Sequence, residues 1–284
     1  MPNLDIQSNV SEPGSSKHVL HPADRLAIDI PVIDIAGYLQ PSLDPDLTRS
    51  IASEIHDAAR SPGFFQITGN GVSPDLRRRL LESMRSFFAL PACTKASLHR
   101  NLSPAMRGYE GVGDQMLEAG VSDRKEGFLI GAEWDGEEDG GRAGFLQGRN
   151  QWPAEEECPG FRGVMEEYFD AMRGLSKALF RLVALSLDLD EKWFDGFVGI
   201  GGLEVFHRLT QAWHPVKPVK DAFVVNIGDM MVSDKDRYSV AFFNEGRLDQ
   251  IIECIPTCLK PGEQPRYEPV RVEAHLKERY SSSY

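Results

Sequence analysis

Long apolar runs, cysteines and an excess of positive charge are all missing from this sequence, and each shortage closes off a class of protein. No stretch approaches the ~20 apolar residues that a membrane span needs. Residues 1–22 lack the apolar core of a secretory signal, and their Ser, Pro, Gly and Asn content reads as a disordered tail. Lysine and arginine number 31 against 43 aspartates and glutamates, a net charge of −12. Nucleic acid and anionic membrane both recruit basic surfaces, so neither is expected as a partner. Cys93, Cys158, Cys254 and Cys258 are too sparse for a disulfide framework in 284 residues. Cys254 and Cys258 have a spacing that suits a metal, but no second pair accompanies them, so free thiols are expected. The expectation is a soluble cytoplasmic protein, and 41% hydrophobic with 26% charged residues suits a globular fold.

What is present is a run of helices followed by a run of strands. Isoleucine and valine alternate with polar residues over 28–34, which predicts a half-buried strand, and Pro31 pushes it to a sheet edge. Leu47, Ile51 and Ile55 recur one turn apart and predict a helix over 46–60 with Asp46 as its cap. Residues 63–68 read as a strand ended by Gly69-Asn70-Gly71. Ser73 and Pro74 open a second helix, which runs to about Ala89.

Residues 101–151 predict loops with short strands near Gly108-Tyr109 and Gly127 to Ile130, and an exposed loop over 135–144. Phe161, Met165, Phe169, Met172, Leu175, Leu179, Leu182 and Val183 form the stripe of a core-packing helix over 160–187. Short strands follow at 203–206, 222–227 and 238–243. The fold class expected is α+β.

A series of phrases, in order, carries a resemblance. They are Ile30-Pro31-Val32-Ile33-Asp34, Gly63-Phe64-Phe65-Gln66-Ile67, Gly71-Val72-Ser73 and Phe87-Phe88-Ala89-Leu90-Pro91. Arg107-Gly108-Tyr109 and Asp123-Arg124-Lys125-Glu126-Gly127-Phe128 follow. Gly202-Leu203-Glu204-Val205, Asp221-Ala222-Phe223-Val224-Val225-Asn226-Ile227-Gly228-Asp229 and Arg237-Tyr238-Ser239 complete the set. Together they resemble the isopenicillin N synthase-like branch of the iron(II)/2-oxoglutarate-dependent oxygenases. The resemblance implies a distorted jelly-roll, the double-stranded β-helix, behind a helical N-terminal region. It implies Fe(II) and 2-oxoglutarate as cofactors, the iron held by a His-x-Asp pair and a distant His. It also implies a small-molecule substrate, oxidised in specialised (secondary) metabolism.

The ligands that the resemblance requires are not in the sequence. The His-x-Asp should precede Gly202, but residues 193–201 contain Asp195 and no histidine. The distal His should precede Arg237, but residues 230–236 contain none. The chain's histidines are His18, His21, His56, His99, His207, His214 and His275. His207 and His214 have no carboxylate in ligand spacing and read as strand or turn histidines.

Accordingly no metal ligand and no catalytic residue is assigned. Arg237 and Ser239 match the family's clamp for the far carboxylate of 2-oxoglutarate. A guanidinium fork fits a carboxylate, and a hydroxyl two residues on shares the same strand face. Arg107, Tyr109 and the Lys125-Glu126 pair match family positions, with a structural or pocket-rim role, or a solvated ion pair, as the alternatives.

The expected organisation is a disordered tail (1–27), an N-terminal dioxygenase region (28–150), the long helix (151–195) and a truncated, incomplete jelly-roll (196–284). The chain as it stands is expected to be inactive. One explanation is a reading frame that skips two coding segments, and the other is a pseudoenzyme that binds a small ligand or a partner protein.

Overall fold

The computed structural model describes residues 30–61, 63–114, 116–118, 121–122, 125–133, 145–196, 219–226, 240–243 and 246–283. The strands, in chain order, are β1 (Val32–Asp34), β2 (Phe64–Thr68), β3 (Gly108–Glu110), β4 (Met116–Glu118), β5 (Val121–Ser122), β6 (Gly127–Leu129), β7 (Phe223–Asn226), β8 (Ile251–Ile252) and β9 (Val270–Arg271). The helices are α1 (Pro45–Arg60), α2 (Pro74–Phe88), α3 (Ala92–Ala96), α4 (Phe161–Ser186) and α5 (Val272–Ser283).

Alternation sets β1: Ile33 points into the core while Val32 and Asp34 face out. β1 pairs in parallel with β2, with Ile33 opposite Ile67. β2 pairs on its other side, antiparallel, with β7, so that Phe65 faces Val225. The sheet order β1-β2-β7 places β1 at an edge, as Pro31 predicted. The central strand is buried at Phe64, Phe65, Gln66 and Ile67, which is how a strand covered on both faces reads.

α1, α2 and α4 lay apolar stripes on one another and on this sheet. Ile51 and Ile55 from α1, Leu76, Leu80, Met84 and Phe87 from α2, and Phe161, Met165, Leu175 and Leu182 from α4 form one cluster with Ile33, Phe65 and Ile67. Phe87 is its aromatic centre, 4.6 Å from Phe128 and 4.9 Å from Phe161 between ring centroids. Phe223 and Val225 of β7 lie half-buried against the same cluster.

Ser73 caps α2 as expected, accepting from the Asp75 amide at 3.2 Å. The cap of α1 is a correction. Asp44, not Asp46, accepts from the amides of Asp46 and Leu47 at 2.9 and 3.4 Å. Pro45 takes the first helical position, where its missing N–H costs nothing, so the helix begins a residue earlier. Asp46 instead pairs with Arg49.

β3 and β6 form the expected antiparallel pair. Beyond α4, the described residues contribute β7, the short pair β8–β9, and α5, which buries Val272 and Leu276. The α5 helix was not among the expected elements. The predicted strand at 203–206, the loop at 135–144 and the tail lie outside the described residues, while of the strand expected at 238–243 the described part, 240–243, forms no regular strand and holds only a bridge at Phe243.

Candidate cofactor site and its surroundings

Arg237 and Ser239 lie outside the described residues, as do His207 and His214. The strand that leads toward them, β7, is described, and side chains of the N-terminal region fasten its start. Gln66 Oε1 accepts from the Val219 amide at 2.9 Å. Asn70 Nδ2 donates to the Asp221 carbonyl at 3.1 Å, while its Oδ1 accepts from the Val72 amide. Arg77 donates to the Asp221 carboxylate at 3.1 Å and lies over the Phe223 ring. Asp221 sits at φ 64, a left-handed conformation that a non-glycine residue holds only with outside support. Asn70 and Arg77 supply that support.

A metal-binding histidine offers the lone pair of a neutral ring nitrogen. His56 Nδ1–H donates to the Ser186 carbonyl at 2.7 Å, and its Nε2 accepts from Arg60 at 3.4 Å. His99 Nε2–H donates to Asp114 at 2.9 Å, and its Nδ1 accepts from the Asn101 amide at 3.2 Å. In both rings the lone pair is already taken. His275 is exposed on α5.

Asp195, the carboxylate in the stretch where a ligand pair was sought, is also committed. Arg181 grips it with two bonds of 2.9 and 2.7 Å, and Lys177 stands 3.6 Å away. The hydrogen bonds from Arg181 bring its pKa down to about 2. Among the described residues no group of three or more His, Cys, Asp or Glu side chains could hold a metal ion. In the full sequence, none of the seven histidines is followed two residues later by Asp or Glu. The residues present therefore do not fit an iron site of the two-histidine, one-carboxylate kind.

The other family positions resolve into fasteners. Arg107 is buried and donates to three carbonyls: Ala132 and Gly148 at 2.7 Å each, and Leu146 at 3.3 Å. Burial holds its pKa below the usual guanidinium value. Glu126 is not half of a solvated pair with Lys125. Its Oε2 accepts from Lys95 at 2.7 Å and from the Tyr109 hydroxyl at 2.9 Å. Burial, and then the bond to Glu126, push the Tyr109 phenol up to about 12.

Sequence reasoning missed Lys95, which also donates to the Phe88 carbonyl. It missed the buried pair of Arg100 and Glu110, 2.7 Å apart with side chains 1% and 5% exposed. It missed Gln151, whose amide donates to the carbonyls of Leu98, His99 and Arg107. All four cysteines are free thiols, as expected, and burial pushes the Cys158 thiol up.

Comparison with known proteins gives these contacts a context. The family described as non-haem dioxygenase in morphine synthesis N-terminal matches residues 30–155. The 2-oxoglutarate-Fe(II) type oxidoreductase hxnY of Emericella nidulans is 31% identical over 316 aligned positions, covering 89% of this chain and 90% of the relative. The 2-oxoglutarate-dependent dioxygenase citB of Monascus ruber is 32% identical over 324 positions, covering 90% and 95%. A full-length Neurospora crassa protein solved in complex with alpha-KG superposes with a TM-score of 0.73 at 22% identity, over 89% of this chain and 96% of its own. At that identity the match speaks for the fold.

Proposed function

Because the chain belongs to the iron(II)/2-oxoglutarate-dependent oxygenase family, we propose that it descends from an oxidoreductase that oxidises a small organic molecule at the expense of 2-oxoglutarate. Its α+β content suits the jelly-roll fold of its structural neighbours. We assign Arg237 and Ser239 to the far carboxylate of 2-oxoglutarate, because the Arg-x-Ser spacing puts a bidentate cation and a hydroxyl on one strand face. The relatives' names support 2-oxoglutarate-dependent oxidation, and we place it on a small molecule of specialised metabolism, in the cytoplasm. The Neurospora crassa neighbour, for instance, has been solved with thymine. Among the described residues no helix is long and apolar enough to cross a membrane.

The 284-residue chain, in this reading, does not complete the iron site and does not turn over. One observation carries this: no His-x-Asp or His-x-Glu occurs anywhere in the sequence. Without iron, 2-oxoglutarate keeps only the clamp at one of its ends. Anaerobic titration of the purified chain with iron(II) and 2-oxoglutarate tests the point. The expected result is no visible charge-transfer band, and a saturable band would refute the reading. In a metal-competent form, Arg237→Ala is expected to abolish 2-oxoglutarate binding, measured by calorimetry.

A non-catalytic role, binding a small ligand or a partner protein, is the competing reading. It draws support from the side chains that could have served as ligands: the ring nitrogens of His56 and His99 are already hydrogen-bonded, and Asp195 is held by Arg181.

A further inference from the structure

We infer that this protein also exists in a longer form, with about sixty more residues placed inside the chain rather than at its ends, and that the choice between forms decides whether an iron site exists. The inference rests on the oxygenase reading above.

Lengths carry the first part. The alignment with the Emericella relative spans 316 positions, yet it takes up 89% of 284 residues, about 253, so some sixty aligned positions face no residue of this chain. With the Monascus relative, 324 positions meet about 256 residues, a shortfall approaching seventy. Both shortfalls are internal to the alignment, so neither end of the chain accounts for them.

Structure narrows where they fall. Between Ile30 and Asp195 the described elements close on one another: the core is continuous, α4 runs for 26 residues, and Arg181 and Asp195 tie off its end. β7 keeps full register with β2. With the N-terminal family model matched over residues 30–155 and the end of α4 tied off at Asp195, we place the shortfall after Asp195, on either side of β7. Two intervals there are suspiciously tight. Residues 193–201 number nine and residues 230–236 number seven. A strand of ~5 residues, a turn and a returning strand need roughly twelve, more residues than either interval contains.

Chemistry supplies the last part. An iron(II) oxygenase centre takes two histidines and one carboxylate on one face. The relative named for Fe(II) chemistry must hold such donors, and this chain offers none in that spacing. Gradual decay of an enzyme would substitute ligands singly and leave the strands that bear them. Here the flanking phrases read on intact while the donors and their strand lengths are missing together.

The test is amplification and sequencing of full-length transcripts across codons 193–237. The expected result is a second, in-frame product about 180 nucleotides longer, encoding a His two residues before an Asp or Glu ahead of Gly202 and a further His ahead of Arg237. Mature transcripts that all encode the 284-residue chain would overturn the inference, as would a longer product without those histidines. Expressing the longer product separates this inference from the reading beneath it. A longer protein that gives no iron/2-oxoglutarate band sinks the oxygenase reading while the longer form stands.

Discussion

A buried guanidinium needs an answer to its charge, and this chain uses two kinds. Arg107 is answered by carbonyl dipoles, Arg100 by the carboxylate of Glu110. The second arrangement is the more fragile, because removing the carboxylate leaves a full charge without its counter-ion. Glu110→Ala should cost about 3–5 kcal/mol, read as a lower urea midpoint. An unchanged midpoint would mean that water reaches Arg100. A tyrosine offers a second handle. Burial pushes the Tyr168 phenol up to about 12, against about 10 in an unfolded chain. Between those values the unfolded chain gives up a proton that the folded one keeps. Stability is therefore whole below pH 10 and falls by about 2–3 kcal/mol as pH climbs through 12. Tyr168→Phe should flatten that alkaline limb, with Tyr109 retaining part of it. Urea melts at pH 9 and pH 11.5 compare the two proteins.

At the scale of elements, legibility followed the strength of one-sided burial. The stripe from Phe161 to Val183 and the alternation around Ile33 announce themselves because one face must leave water. Proline and serine marked the start of α2, and Ser73→Ala should cost about 1 kcal/mol in the same melts. Legibility failed where partners are remote. Glu126 meets Lys95 across 31 residues, and no local pattern encodes that contact. α3 is five residues long, and α5 buries only Val272 and Leu276 among its described positions, so neither carries a strong period. The candidate clamp was legible only as the phrase Arg237-Tyr238-Ser239, since its structural meaning depends on neighbours supplied by other strands. Gly108 shows the opposite case, a constraint invisible without coordinates. It sits at φ 115, and a side chain there would strike the Leu98 carbonyl. Gly108→Ala should destabilise by about 1–3 kcal/mol, a loss that thermal unfolding followed by circular dichroism would register.

Over the whole molecule, the helices and the β1-β2-β7 sheet form a body packed from apolar side chains, and no group of His, Cys, Asp or Glu among the described residues could hold a metal. Iron(II) or manganese(II) with 2-oxoglutarate should therefore move the Tm of the 284-residue chain by less than about 1 °C, because a ligand stabilises only the state that binds it. A larger rise would show a donor set that the sequence does not reveal. The same body grips the start of β7 through Gln66, Asn70 and Arg77. The N-terminal region thus fixes where β7 begins.

The three carbonyls held by Arg107 have a consequence for how such a chain can change over time. Ala132 lies before residues 134–144, and Leu146 and Gly148 lie after them, with Asn150 bonded back to Gly131 and Glu133. Both ends of that stretch are held by the body, so the cost of bringing them together barely depends on what lies between. Doubling the length would add only about 0.6 kcal/mol. The residues on either side keep their own contacts whatever length of chain joins them. A short epitope placed there should leave the protein folded, which makes the Arg107 bracket a natural port for insertion.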